Sequence, residues 1–309
     1  MKGEGGFALV ITLIITALLI ALTAEFVNEV YVDTSAGHNF VNGQQASILA
    51  DSGITGGIRL IQVSLAENGG YTSLLDLWAK PLHLDDESGS LDITIEDESG
   101  KLNLNSVVYP NGLDFEPYHD MAVRLFKTLK LSPDLLDALA DWIDTGDEPR
   151  PSGAETPYYK GLKPPYTARN GPLATLEELR LVKGFDAATV DRLRPFVTVY
   201  PNAAAGQVTP ININTAPREV IASLHKDMSD SLADNVLEYR KTTPFKAAYD
   251  LLKVPGMESI AEGLSTYTTA AGGIFRIISR GQVSDTSRVI EAVVRVSAGQ
   301  STVLYWREY

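Results

Sequence analysis

The sequence predicts an α+β fold: a very long N-terminal helix laid on an antiparallel sheet, with a large α-helical domain inserted between the strands. Three observations carry this expectation. Residues 7–24 read FALVITLIITALLIALTA, eighteen residues without a charge, and apolar or small residues keep recurring at three and four residue spacing beyond them, with no proline before Pro81. Leu91, Ile93 and Ile95 alternate with polar residues, as a half-buried strand requires, and three further strand patterns appear only after Gly273. The chain between these two strand regions reads as helices and loops.

Taken in order, MKGEGG is a short polar leader. The apolar run after it would make a helix of roughly 27 Å, enough to cross a hydrocarbon core of about 30 Å. The periodicity extends the same helix from Phe7 to about Ala66, roughly 90 Å, far too long for a globular core. Gly37, Gly43, Gly53, Gly56 and Gly57 imply local bends or close helix approach, and the apolar stripe from about Phe26 to Leu65 implies a partner surface. The late strands are GIFRIISRGQ, SRVIEAVVRVSA and TVLYWREY, separated by short polar or glycine turns. The expected organisation is a leader at 1–6, a membrane span at 7–24, the rest of the helix and the first strands at 25–100, an inserted helical domain at 101–266, and C-terminal strands at 267–309.

The helical part carries a weak internal repeat. LNLNS, starting at Leu102, leads through helices to TLEELRLVKGF, and ININTAP, starting at Ile211, leads to FKAAYDLLKVPGM. Each copy opens on asparagines and ends with a helix running into Val-Xaa-Gly, at Gly184 and Gly256. The copies differ by one inserted acidic loop, DALADWIDTGDEPRPSGAETPYYKGLKPPY. Asp141, Asp144 and Asp147 lie three apart around a helix end, and Glu155 follows a proline and glycine turn. Four carboxylates gathered by such a loop suit a hard cation with oxygen ligands, although the spacing is not that of an EF-hand. The competing reading is a solvated acidic loop in which Arg150 pairs with a neighbour.

The 309 residues carry a formal net charge of −13 and no cysteine. The charge argues against nucleic acid as a partner, and the missing cysteine excludes disulfides and thiolate metal sites. No hydrolase elbow, HExxH or Walker loop is present. His38, His83, His119 and His225 lie far apart without ligand spacing, so no catalytic residue and no enzyme activity is expected. Between Lys2 and Arg59 there is no Lys or Arg, while Glu25, Glu29, Asp33 and Asp51 follow the span, a slight bias toward a cytoplasmic N-terminus.

Two glycines before Phe7, an uncharged span and a continuous amphipathic helix resemble the type IV pilin-like class. That resemblance implies cleavage by a prepilin peptidase between Gly6 and Phe7 and methylation of the new N-terminus. Most members carry a glutamate five residues into the mature chain, where this chain has Ile11. The missing glutamate, together with DWID…DEPRPSGAE…YY, resembles the K pseudopilins of type II secretion systems. The resemblance implies a pilin-like sheet and a non-enzymatic subunit at the tip of the periplasmic pseudopilus, in contact with other minor pseudopilins and anchored once in the inner membrane. It also implies a structural Ca²⁺ held by Asp144, Asp147 and Glu155, with Asp141 less firmly assigned; Mg²⁺ or Mn²⁺ would accept the same carboxylates. The alternative is a minor subunit of a type IV pilus or DNA-uptake pseudopilus. In it the Val-Xaa-Gly units would bind DNA as helix-hairpin-helix modules, through Lys183 and Lys253.

Overall fold

Residues 4–200, 206–297 and 299–309 are described by a computed structural model. The first half of the leader, residues 1–3, lies outside the described residues. Helix α1 (Glu4–Glu67) is continuous through Gly37, Gly43, Gly53, Gly56 and Gly57. Its apolar first part meets the length and composition needed to cross a membrane. From Phe7 to Val41 its large apolar side chains are exposed.

Beyond residue 42 the helix changes character, and the reason is local packing. Ala46, Ala50, Ile54 and Ile61 recur at helical spacing and are buried against a five-stranded antiparallel sheet. The sheet contains β1 (Leu82–Asp86), β2 (Gly89–Asp97), β7 (Ile274–Val283), β8 (Thr286–Ser297) and β9 (Gln300–Glu308), in that spatial order. A Cβ at Gly53 would collide with the Ser279 hydroxyl, and one at Gly57 would press on Ile277 and Ile95. Close approach, not bending, therefore explains these two glycines. The same packing corrects the expected partner stripe: its second half is covered by the chain's own sheet, and only the first half is bare. Ile54 and Ile61 each contribute about 1.5–3 kcal/mol by their burial, and the two alanines let the helix lie close, so the rear of α1 is fixed firmly to the sheet.

The sheet inserts its helical excursion between β2 and β7, as the fold class predicts. Strand β1 was not expected. Its residues LHLDD are mostly exposed at an edge, so no buried face imposes a readable alternation. The excursion contains two units built to one plan. The first comprises β3 (Leu102–Asn103), α2 (Glu116–Thr128), α3 (Leu135–Ile143), α4 (Thr156–Lys160), a 3₁₀ turn at Leu176–Leu181, α5 (Ala187–Leu193) and β4 (Val197–Thr198). The second comprises β5 (Ile211–Asn212), α6 (Arg218–Ser223), α7 (Asp230–Arg240), a 3₁₀ turn at Ala248–Lys253, α8 (Ala261–Leu264) and β6 (Thr268–Thr269). Each unit closes by a two-residue parallel pair: Leu102 and Asn103 against Val197 and Thr198, Ile211 and Asn212 against Thr268 and Thr269.

A buried asparagine fixes each closure. Asn105 Nδ2 donates to the carbonyls of Leu173 and Val199, both at 3.0 Å, and its Oδ1 accepts from the Leu173 amide at 2.7 Å. Asn214 repeats the pattern with Phe245 at 2.9 Å and Ala270 at 3.2 Å, and accepts from the Phe245 amide at 2.8 Å. The Val-Xaa-Gly glycines also match. Gly184 (φ +84°) sits over Leu135 and Gly256 (φ +88°) over Leu232, in a backbone region that a side chain would strain. The repeat is therefore real, and Leu135 and Leu232 occupy equivalent places at the starts of α3 and α7.

The excursion is joined to the sheet by buried polar groups. Asn212 Nδ2 donates to Asp97 Oδ2 at 2.7 Å and to Thr72 Oγ1 at 2.9 Å, and Thr215 Oγ1 also donates to Asp97 at 2.8 Å. Glu98 accepts from Lys101 and from Arg276, both at 2.9 Å.

Candidate metal centre

The acidic corner of the first unit is made by the end of α3 and the loop that follows it. Helical spacing puts Asp137, Asp141 and Asp144 along one side of α3, because residues three and four apart are neighbours on a helix. The loop then folds back over them. The Arg150 amide donates to Asp141 Oδ2 at 3.1 Å, the Ser152 amide to Asp137 at 3.1 Å, and the Gly146 amide to Asp144 at 2.7 Å. Gly153 is required at the fold-back, since a Cβ there would collide with the Asp141 carboxylate.

Of the four candidate ligands, Asp141, Asp144 and Glu155 are brought together and buried, while Asp147 stays exposed at the rim. Both Glu155 oxygens are buried without a hydrogen-bond partner. Burial pushes this carboxyl up to about 7, and Asp141, Asp144 and Asp147 push in the same direction. Asp141 is pushed up to about 6, again by burial, with Asp144 adding to the effect and the Arg150 amide opposing it. Among the described residues no three carboxylates or imidazoles converge tightly enough to enclose an ion as the side chains lie. The donor set nevertheless fits a hard cation. A buried carboxylate that faces three others, with only the Thr156 amide to favour its charge, is costly, and a divalent ion would stabilise it together with the carboxylates that now repel it.

The competing expectation of an Arg150 pair is also met. Its guanidinium donates to Asp114 at 2.7 Å and to the Gly112 carbonyl at 2.6 Å, and lies 3.8 Å from Asp141. This pair neutralises the outer side of the corner and leaves Glu155 untouched. Asp137 and Asp114 were missed by sequence reasoning, and Lys183 was read only as a DNA-binding candidate. Asp137 was findable as the residue one turn before Asp141, whereas Asp114 arrives from a separate loop. Lys183 Nζ donates to the Ser152 and Gly153 carbonyls at 3.2 and 2.9 Å, bracing the fold-back from the Val-Xaa-Gly turn.

The second unit shows what the corner becomes without the loop. Counting from Leu135 and Leu232, Asp137, Asp141 and Asp144 correspond to Asp234, Glu238 and Lys241. Asp234 is held by Arg218 at 2.6 Å, and Glu238 by Lys241 at 2.6 Å. Carboxylates at this position are thus neutralised from within the chain.

Residues 100–202 and 211–270 match two family models, both described as type II secretion system protein K, which together take in more than half of the chain. The type II secretion system protein K of Pseudomonas aeruginosa is 28% identical, with 95% of this chain and 89% of that protein covered. The protein of the same name from Aeromonas hydrophila is 28% identical, covering 94% and 93%. In structure, the chain superposes on one chain of the GspK-GspI-GspJ complex of enterotoxigenic Escherichia coli with a TM-score of 0.75 at 22% identity, over 90% of this chain and 99% of that one. At that identity the superposition shows the shared fold.

Proposed function

We infer a structural role from the premise that this chain belongs to the type II secretion system protein K family. It acts as a non-enzymatic minor pseudopilin at the tip of the pseudopilus, initiating or capping its assembly for the export of folded proteins. The observation that carries this reading is α1, bare from Phe7 to Val41 and uncharged from Phe7 to Ala24, with Ile11 near the start of that run. An unpaired charge inside a bilayer costs at least a few kcal/mol, so a buried glutamate is useful to a subunit only where a preceding subunit supplies an ammonium. Ile11 removes that requirement, which suits a subunit with nothing ahead of it. The helical excursion adds bulk that would obstruct stacking above this molecule.

In this reading prepilin peptidase cuts between Gly6 and Phe7, the new N-terminus is methylated, and the single span sits in the inner membrane. The body then faces the periplasm, against other minor pseudopilins of the kind present with GspK in the E. coli complex. The corner formed by Asp141, Asp144, Glu155 and Asp147 holds a structural Ca²⁺. The ion would supply the counter-charge that Glu155 lacks, while Arg150 and Lys183 hold the loop in register. The DNA-binding alternative is disfavoured, because Lys183 is taken up by two carbonyls and Lys253 by Asp250 at 2.8 Å. The test is Gly6→Leu in cells carrying the secretion apparatus. The leader is expected to stay attached and export to stop; normal processing and export would overturn the reading.

A further inference from the structure

The two units differ in what covers the end of their α3 or α7 helix. In the first, the chain's own insertion lies on that surface, drawn there by opposite charge: the Arg150 amide and guanidinium meet Asp141 and Asp114. In the second, α7 reaches Phe245 through Lys241–Pro244 alone, and no insertion exists to cover it. What remains is a cavity of about 460 Å³ lined by Asn214, Leu237, Arg240, Leu74 and Leu75, together with the paired side chains Asp234, Glu238 and Lys241. Leu74 and Leu75, on the loop after α1, are 51% and 50% exposed.

Arg240 gives this cavity a sign. It stands where the first unit has the buried Ile143, and among the described residues it donates from Nη1 to the Ile213 carbonyl at 2.6 Å and pairs with no carboxylate. The nearby carboxylates are already committed, Asp234 to Arg218 and Glu238 to Lys241. Burial pulls the Arg240 guanidinium down to about 10, with no carboxylate opposing the shift. An arginine fork beside exposed leucines recognises a carboxylate flanked by apolar groups.

We propose that the cavity between the Leu74–Leu75 loop and α7 receives a segment of another subunit in which an Asp or Glu side chain lies beside an apolar one. The carboxylate bonds Arg240, and the segment occupies in the second unit the place that the insertion occupies in the first. The proposal rests on the reading of this chain as an assembling pseudopilin. Its test keeps the two separable.

The full-length chain is produced in cells with the whole secretion apparatus, with p-benzoylphenylalanine replacing Leu75, or replacing Phe40 on the bare part of α1 as a control. Illumination at the Leu75 position is expected to give an adduct that mass spectrometry maps to another subunit, within a few residues of an Asp or Glu. Arg240→Glu should reduce that adduct at least tenfold and leave the Phe40 adduct intact, and changing the mapped carboxylate to Arg should restore it. Because Arg240 also holds Ile213, Leu74→Glu serves as a second variant that leaves that bond alone, and it too should cost tenfold. A Leu75 adduct that survives both variants, maps to a segment without a carboxylate, or is missing while Phe40 still cross-links overturns the cavity proposal alone. Loss of both adducts in the unsubstituted chain overturns the assembly reading as well.

Discussion

The two helical units share a scaffold and solve one electrostatic problem in opposite ways. Both close on a buried asparagine, both turn on a glycine seated over a leucine, and both place acidic side chains along the helix after the first turn. In the second unit Lys241 and Arg218 neutralise those acids; in the first the residue in the place of Lys241 is Asp144, and Glu155 is added beside it. One substitution from cation to anion at a helix end, with one insertion, turns a self-neutralised surface into a cluster of buried carboxylates in which Glu155 has no side-chain counter-charge. The scaffold that tolerates this change is the hydrogen-bonded closure beneath it.

That equivalence can be broken most forcefully at the asparagines. Asn105→Ala leaves three backbone groups buried without partners and Asn214→Ala leaves two, because the Thr72 amide still donates to the Ala270 carbonyl at 3.0 Å; each stranded group costs about 1–3 kcal/mol. Asn105→Ala should lose roughly 3 kcal/mol or more, and Asn214→Ala roughly 2 kcal/mol or more, in urea unfolding followed by tryptophan fluorescence. A loss below about 1 kcal/mol at either position would show that the units are alike in shape but not in energetics.

The next contrast is the ion. Calcium at a hundredfold excess over its dissociation constant should stabilise the protein by about 2.7 kcal/mol. Glu155→Gln should remove the response and Glu238→Gln should preserve it; an unchanged response in Glu155→Gln would place the ion elsewhere. With calcium chelated, pH separates the units by sign. Glu155 keeps its proton in the folded protein between its ordinary value of 4.5 and about 7, so the folded state binds more protons than the unfolded one and stability falls as pH rises through that window. Asp250 of the second unit behaves oppositely. Burial opposes its ionisation, but Lys253 and the Lys246 and Ala247 amides outweigh burial and hold it below its ordinary value. Its contribution is present above the usual carboxylate range and lost on acidification. Melting temperatures of Glu155→Gln and Asp250→Asn across pH 3–8 read the two slopes apart, and equal slopes would contradict the contrast.

The mildest test is the pair Gly184→Ala and Gly256→Ala. Each forces a side chain into the left-handed region, for about 1–2 kcal/mol, with its methyl against the mobile tip of a leucine. The two losses should agree to within a few tenths of a kcal/mol, and a large inequality would mark one turn as differently supported.

Much of this was readable from the chain. The long helix, the late strands, the asparagine entries and the Val-Xaa-Gly turns all announce themselves because their signals are local, a period or a turn residue within a few positions. The gathering of carboxylates in the acidic loop was legible for the same reason, but their burial was not: Asp141, the less firmly assigned of the four, lies buried with Asp144 and Glu155, while Asp147 is exposed. The rest depends on distant contacts. Asp114 meets Arg150 from a different loop, and Lys183 reaches back to Ser152 and Gly153. Nor does Arg240 reveal its solitude until the carboxylates around it are seen to be engaged. The 3₁₀ turns at Leu176–Leu181 and Ala248–Lys253 read as ordinary helices because composition does not distinguish the tighter winding.

Helix α1 also has a mechanical meaning. It is one unbroken rod of 64 residues, roughly 96 Å at about 1.5 Å per residue, with its far end wedged into the sheet at Gly53 and Gly57. A rod without a hinge delivers axial displacement to its far end almost undiminished. A displacement of that rod would reach the sheet, and from there the helical units, through the Asp97–Asn212–Thr72 cluster, the Glu98–Lys101–Arg276 group and the apolar packing of Ile274 and Val293. The joint between sheet and excursion, part polar and part apolar, is therefore where such a displacement would be felt.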